Sequence, residues 1–170
     1  FDDVEGCPKG FRTLINWFTG TRKNLTLGFP ESFNKLELSR AYHEHTRNLK
    51  AIPHEIVEDG PVFENILEDD AIDVTKFPAP LWNPDDGGRY IGTGCFIITR
   101  DPDTGWINCG TYRVMIHDEK RVALYISPGK HGRIHRDKYM AKDEPMPVCI
   151  VVGTDPLSFL TSSTEAPEGM

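Results

Sequence analysis

The chain has 170 residues, 38% of them hydrophobic and 26% charged, enough for one good core or two small lobes. With 19 basic against 26 acidic residues the net charge is −7, which argues against a general binder of nucleic acid or anionic membranes, since phosphate affinity needs a basic surface. No apolar run reaches membrane-spanning length, no secretion-signal core is present, and Cys7, Cys95, Cys109 and Cys149 lack CxxC spacing, so neither a zinc knuckle nor a disulfide framework is suggested and a cytoplasmic protein with reduced thiols is expected.

The ends read as those of a fragment or a partly ordered chain: Phe1 is not an initiator Met, and Met170 follows Glu165-Ala166-Pro167-Glu168-Gly169 as if in mid-loop. Residues 1–30 set Gly6, Pro8, Gly10, Gly20, Gly28 and Pro30 around Leu14-Ile15-Asn16-Trp17-Phe18, which reads as a strand and turns with room for one helical turn. Asn24-Leu25-Thr26 fits a glycosylation sequon, a pattern common by chance. Residues 31–49 lack Gly and Pro and space Leu36, Leu38, Ala41, Tyr42, His45 and Leu49 as a helix does, starting at Glu31 or Ser32, with Lys50 suited to its C-terminal dipole. Asp59-Gly60-Pro61 makes a turn between the short stretches Ile52 to Val57 and Val62 to Leu67. The run Phe77-Pro78-Ala79-Pro80-Leu81-Trp82-Asn83-Pro84 must be largely non-helical, because a residue before proline is pushed out of the α region. It divides an N-terminal lobe, residues 1–80, from a β-rich lobe, residues 81–170.

In the second lobe Tyr90 to Thr99 reads as a strand and Asp101-Pro102-Asp103-Thr104-Gly105 as a turn. Thr111 to Ile116 and Val122 to Ser127 form a hairpin over His117-Asp118-Glu119-Lys120, with Tyr112, Val114 and Ile116 on one face and Arg113, Met115 and His117 on the other. A helix follows from about Gly132 to Ala141. Val148 to Val152 reads as a buried strand, and Asp155-Pro156 opens a short helix with Asp as N-cap and Pro at its first position.

Two Gly- and Pro-flanked runs carry the candidate chemistry: Gly105-Trp106-Ile107-Asn108-Cys109-Gly110-Thr111-Tyr112-Arg113 and Ser127-Pro128-Gly129-Lys130-His131-Gly132-Arg133. Asn108 and Arg113 are five apart, so an unbroken strand sends them to opposite faces; a bulge or kink at Gly110 would turn both toward one pocket. His131 begins a helix, where backbone N–H groups and the dipole favour a phosphate or carboxylate, and His135 follows one turn later. An amide oxygen and an imidazole are an incomplete set for a divalent ion, which a carboxylate or phosphate oxygen must complete. Plainer roles stay open on spacing alone: Asn108 as a turn stabiliser, Arg113 as an ion-pair partner or solvated charge, His131 as a helix-start residue, Ser162 and Ser163 as caps. His43 and His45 lie on different helix faces and do not make a metal pair. No GxSxG, HExxH, Walker or Rossmann fingerprint is present.

The segment Trp82-Asn83-Pro84-Asp85-Asp86-Gly87-Gly88-Arg89-Tyr90-Ile91 resembles the start of the flavin-binding domain of UbiD-like decarboxylases. The resemblance continues through Asn108-(x4)-Arg113, Ser127-Pro128-Gly129-Lys130-His131 and Asp155-Pro156…Ser162-Ser163, with a weaker match at Phe1-Asp2-Asp3-Val4-Glu5-Gly6, and so covers almost the whole chain. It implies an α+β fold: an N-terminal α/β lobe, incomplete at its start, followed by the first part of a split β-barrel flavin-binding domain, incomplete at its end. It also implies prenylated FMN as cofactor, its phosphate held through a divalent ion, usually Mn2+, with a monovalent cation such as K+ nearby. On that basis Asn108 and His131 are the metal ligands, and Arg113 is the catalytic residue facing the substrate carboxylate. Asn108, Gly110, Thr111, Tyr112, Arg113, Lys130, His131, Ser162 and Ser163 form the cofactor-binding set. The family's third metal ligand and two catalytic acids are Glu residues further along; Glu165 and Glu168 lie too early to match them, and the three are expected beyond residue 170.

The implied activity is reversible non-oxidative decarboxylation of an aromatic or α,β-unsaturated acid. The Asn-Cys-Gly-Thr-Tyr-Arg and Ser-Pro-Gly-Lys-His-Gly-Arg versions resemble members acting on phenolic acids of the protocatechuate or gallate type. The implied partners are the small-molecule acid, a flavin prenyltransferase that supplies the cofactor, and further copies of the chain in a dimer or hexamer. Two other functions fit the same residues: a non-catalytic UbiD-like subunit of a multi-subunit carboxylase, and a split-barrel flavin reductase, in which the metal-ligand pair would have no use.

Overall fold

The computed structural model describes residues 1–16, 18–50 and 52–167; Trp17 of the N-terminal apolar stretch and Glu168 lie outside the described residues. The chain falls into two compact units, Ile15–Ile72 and a second made of Phe1–Leu14 with the chain from Asp73 onward.

The Ile15–Ile72 unit holds two helices, α1 (Thr21–Thr26) and α2 (Lys35–Thr46). Among the described residues of 1–30 no strand forms, contrary to the expectation, and every strand described lies beyond residue 89. The many Gly and Pro positions there break the chain into turns instead. Asn24 is buried, and its Nδ2 donates to the carbonyls of Pro30 (3.3 Å), Glu31 (3.2 Å) and Phe33 (2.8 Å), so the sequon's amide is spent on folding the loop after α1. The second helix starts later than Glu31 or Ser32. Asn34 Oδ1 accepts from the N–H groups of Leu36 (2.9 Å) and Glu37 (3.1 Å), while Glu37 Oε2 accepts from Asn34 N–H (2.8 Å). That reciprocal box satisfies otherwise orphaned helix-start donors, which neither earlier residue does.

The second unit is a four-stranded antiparallel sheet with two helices, an α+β arrangement. The strands are β1 (Tyr90–Arg100), β2 (Ile107–Ile116), β3 (Val122–Tyr125) and β4 (Val148–Val151), in the order β3-β2-β1-β4. The helices are α3 (His131–Ala141) and α4 (Pro156–Ser163), the latter capped by Asp155 Oδ1 on the N–H groups of Leu157 and Ser158 (both 3.0 Å). Residues from Asp73 join this unit: Val74 N–H donates to Glu119 O (2.8 Å), and the Phe77 ring lies 5.5 Å from that of Phe11.

Alternation along the long central strands sorts their side chains onto two faces. Cys95, Ile97, Tyr112 and Val114 with Ile126 make the buried core on the face we call inner, joined by the half-buried Ile91, Val122, Leu124 and Ile150. β4 differs from the buried strand its apolar run suggests. It pairs only with β1 at the sheet edge, and Val148 and Cys149 are exposed. Among the described residues no helix is long and apolar enough to cross a membrane.

Ile97 is fully buried at the centre of the sheet, paired with Gly110 on one side and Ile150 on the other. Ile97→Ala should lower unfolding free energy by about 3 kcal/mol, lost transfer energy plus a cavity, as read by urea denaturation.

Candidate cofactor and metal site

The candidate residues cluster on β2, on the N-terminus of α3 and on α4. The register of β2 runs unbroken from Ile107↔Arg100 to Thr111↔Phe96, and Gly110 is not among the glycines with positive φ. The extra residues sit instead in β1, between Tyr90 and Gly92 and between Gly92 and Cys95. The bulge or kink at Gly110 that would bring Asn108 and Arg113 into one pocket therefore does not form. Asn108, Gly110, Tyr112 and Val114 are buried on the inner face; Arg113 is exposed on the outer one. Asn108 and Arg113 lie five residue steps apart, about 17 Å along β2.

On the inner face Asn108 is tied to α3. Its Nδ2 donates to Thr99 Oγ1 (3.3 Å) and Tyr112 Oη (3.4 Å), and Tyr112 Oη also accepts from Gly132 N–H (3.2 Å). Gly132 follows His131, so one phenol oxygen joins the Asn108 amide to the first turn of α3. The Tyr112 ring lies where a Cβ on Gly110 would meet it at 2.4 Å and one on Gly132 at 2.9 Å, so both positions are glycine to admit the ring. The half-buried His131 and the buried His135 both set their rings edge-on to Trp106, with centroids 5.0 and 5.6 Å away. Asn108 and His131 are thus brought to one neighbourhood.

The Asn108 amide has a defined orientation. Among the described residues both of its hydrogen bonds are made by Nδ2 and none reaches Oδ1, which is not completely buried. A hard neutral oxygen beside an imidazole suits a divalent ion whose remaining positions are filled by anionic oxygens. Among the described residues no group of three or more His, Cys, Asp or Glu could hold a metal.

A charged clamp holds α3 against the β1–β2 turn. Asp101 is buried; its Oδ1 accepts from Asp103 N–H (2.8 Å) and Thr104 N–H (3.1 Å), and its Oδ2 meets Lys138 Nζ at 2.5 Å and His135 Nε2 at 3.7 Å. Asp103 pairs with Lys138 (3.4 Å) and Lys142 (2.6 Å). The Lys138 hydrogen bond, helped by the two backbone donors, holds the Asp101 carboxyl well below the usual carboxylate range against the opposing effect of burial. Burial pushes the Cys95 thiol up to about 11 and raises that of Cys109, so neither is a ready nucleophile at neutral pH.

The outer face collects the hydroxyls and the guanidinium. Thr111 Oγ1 lies 2.7 Å from Ser162 Oγ and 3.0 Å from Ser163 Oγ, and α4 approaches so closely that the Phe159 ring would sit 2.6 Å from a Cβ on Gly94. Arg113 lines an open cavity of about 440 Å³ with Tyr90, Met115, Ala123, Leu124 and Tyr125. Lys130, the N-cap of α3, pairs with Glu165 at 3.8 Å, which gives that acid a structural partner.

Thr99, Asp101, Trp106 and Lys138 escaped the sequence reading as site residues. Asp101 looked like turn chemistry alone, and Thr99 is revealed only by the register that sets it opposite Asn108. His135, noted one turn after His131, is a buried hydrogen-bond partner of Thr99 Oγ1 (3.0 Å).

The strand-bearing unit is an α+β arrangement in which the His-bearing start of α3 is joined through Tyr112 to Asn108 of β2. Residues 55–170 match the family described as UbiD, 3-octaprenyl-4-hydroxybenzoate carboxy-lyase Rift-related domain, and the chain belongs to that family. It is 30% identical over 167 residues to a pyrrole-2-carboxylic acid decarboxylase of Pseudomonas aeruginosa, covering 98% of this chain and 33% of the relative. It is likewise 30% identical over 170 residues to ferulic acid decarboxylase 1 of Candida dubliniensis, with the same coverages, 98% and 33%. Its fold superposes with a TM-score of 0.75 and 25% identity on an evolved dimeric form of the UbiD-class enzyme HmfF from Pelotomaculum thermopropionicum in complex with prFMN, over 91% of this chain and 35% of that one. The chain spans about a third of the length of the curated relatives it matches.

Two outcomes follow from the site's construction. Because the folded-state pKa of Asp101 is depressed, its stabilisation is present above the ordinary carboxylate pKa of about 3.9 and is lost as pH falls below that toward the folded value. Asp101→Asn should lower the urea midpoint at pH 7, with a gap to wild type that holds down to about pH 5 and narrows below about pH 4. Gly110→Ala should push the Tyr112 ring off Gly132, releasing the Gly132 amide to faster hydrogen exchange while the amides of β3 exchange as in wild type.

Proposed function

We propose that the protein carrying this chain catalyses reversible non-oxidative decarboxylation of an aromatic, in particular phenolic, or α,β-unsaturated carboxylic acid with prenylated FMN. The observation that carries this is the Asn108 carboxamide, held through its nitrogen and joined by Tyr112 to the first turn of α3, which His131 begins, in a chain of the UbiD family. The relatives' own names, for decarboxylases of pyrrole-2-carboxylic and ferulic acids, support the substrate class. Loss of CO2 from such an acid leaves an unstable carbanion, and the cofactor supplies the electron sink that makes it accessible.

This chain's residues bind and orient. Asn108 Oδ1 and His131 hold a divalent ion, Mn2+ by family, at the phosphate end, where the positive end of α3 adds to the field on the anion. Acidic residues elsewhere in the protein complete the ion's ligands and supply the proton to the product. Lys130 adds positive charge beside His131, and a monovalent cation, K+ by family, accompanies the divalent one. Thr111, Ser162 and Ser163 offer three converging hydroxyls toward the cofactor. Gly110 and Tyr112 shape the wall between. Arg113 presents a planar fork for the substrate carboxylate, with Tyr90 and Tyr125 in the same cavity to stack on an aromatic ring. The phosphate and carboxylate ends are thus separate subsites along β2. The strand-bearing unit is the first part of a split barrel, the protein works as a dimer or hexamer, and a flavin prenyltransferase provides its cofactor.

The test uses the full-length protein, reconstituted with prenylated FMN and Mn2+, against a panel of phenolic and acrylic acids, with released CO2 measured. Arg113→Ala should lower kcat/KM by at least about 100-fold through lost orientation of the carboxylate; unchanged turnover would remove Arg113 from the site. No CO2 exchange with any acid, despite bound cofactor, would favour the non-catalytic subunit. Oxidation of a nicotinamide donor in its place would favour the reductase.

A further inference from the structure

Thr99 lies opposite Asn108 across β1 and β2, and its hydroxyl touches two side chains, Asn108 Nδ2 at 3.3 Å and His135 Nδ1 at 3.0 Å. We infer that Thr99, held by His135 and Asp101, is a positioning residue that fixes the Asn108 carboxamide with its oxygen toward the divalent ion. The inference rests on Asn108 as a metal ligand and deepens that assignment.

Asp101, ionised beside Lys138, lies 3.7 Å from His135 Nε2, and His135 Nδ1 lies 3.0 Å from Thr99 Oγ1. With the His135 proton on Nε2, toward the carboxylate, Nδ1 accepts from the Thr99 O–H. With its one proton committed, Thr99 Oγ1 can only accept from its other neighbour. The Asn108 NH2 is the group that faces it, at 3.3 Å. The second contact agrees: Tyr112 Oη accepts from both Gly132 N–H and Asn108 Nδ2, drawing the same nitrogen inward. A flipped amide would set a carbonyl against Thr99 Oγ1 and leave that contact without a donor. Thr99 and His135 are almost fully buried, so water does not substitute for either link.

An Asn oxygen is a weak neutral ligand, and its value to an ion depends on arriving already aimed. Groups that orient a ligand in this way are typically worth about 10- to 100-fold in metal affinity. Thr99 is suited to the task because valine has nearly its shape and lacks only the hydroxyl.

The experiment titrates the full-length apo-protein with Mn2+ in the presence of FMN and follows free Mn2+ by its electron paramagnetic resonance signal, with circular dichroism and thermal unfolding on every variant. Thr99→Val should weaken Mn2+ binding by about tenfold or more, Thr99→Ser should restore it to within about threefold of wild type, and Asn108→Ala should be at least as weak as Thr99→Val. A merely structural Thr99 would lower the thermal midpoint without separating serine from valine in metal affinity. If Thr99→Val does not fold, Thr99→Ala takes its place, since it removes the hydroxyl without inserting a methyl. Wild-type affinity in the hydroxyl-less variant alongside loss in Asn108→Ala overturns the positioning role and leaves the ligand assignment standing. Equal weakening in the serine and valine variants also overturns it. Wild-type affinity in Asn108→Ala overturns the ligand assignment and this inference with it.

Discussion

The carboxylate of Asp101 is the constraint on which the inner face depends. One of its oxygens closes the turn between β1 and β2 through two backbone amides, and the other holds Lys138 of α3. A turn residue and a helix are thereby joined by one buried group, with Asp103 repeating the link at the rim through Lys138 and Lys142. Buried charges are tolerated only when paired and hydrogen-bonded, and Asp101 meets both conditions. With α3 anchored at its middle, its first turn is delivered to Tyr112 and Asn108. The position of His131 therefore follows from a contact nearly two helical turns away.

The strand that carries most of the candidate chemistry divides it. Alternation places the amide and the phenol of β2 against α3 and the hydroxyl and guanidinium on the opposite side, toward α4 and the open cavity. Each set then has its own support. The inner one is buried and hydrogen-bonded to the first turn of α3. The outer one is open, with Tyr125 exposed beside Arg113.

Much of the strand-bearing unit was legible in the sequence because its signals are local. The alternation of Tyr112, Val114 and Ile116, the turn chemistry of Asp101 to Gly105 and the Asp155-Pro156 helix start all reappear with small shifts in boundary. Signals depending on who sits beside whom failed. The apolar run Val148 to Val152 looked buried, but a strand with only one neighbour leaves part of its surface to solvent. The start of α2 was placed too early because Asn34 and Glu37 form their box only once the chain has turned. In the site, residue types and spacing singled out Asn108 and His131, and family likeness added their roles. Thr99 and Lys138 were invisible, since a threonine in a strand and a lysine in a helix are ordinary until register and packing bring them to Asn108 and Asp101. The kink at Gly110 was a reasonable use of glycine; its lack of a side chain serves instead to admit a ring.

The way Tyr112 lies over Gly110 and against Gly132 has an evolutionary corollary. Positions 110, 112 and 132 share one volume, so they are not free to drift independently. A methyl group acquired at either glycine is tolerated only after the phenol has been replaced by something smaller, and that replacement severs the bridge from Asn108 to the helix. Every single-step route away from this trio passes through a compromised intermediate. Related chains should therefore vary at these three positions as a block, and a large aromatic at position 112 should be accompanied by glycine at both of the others.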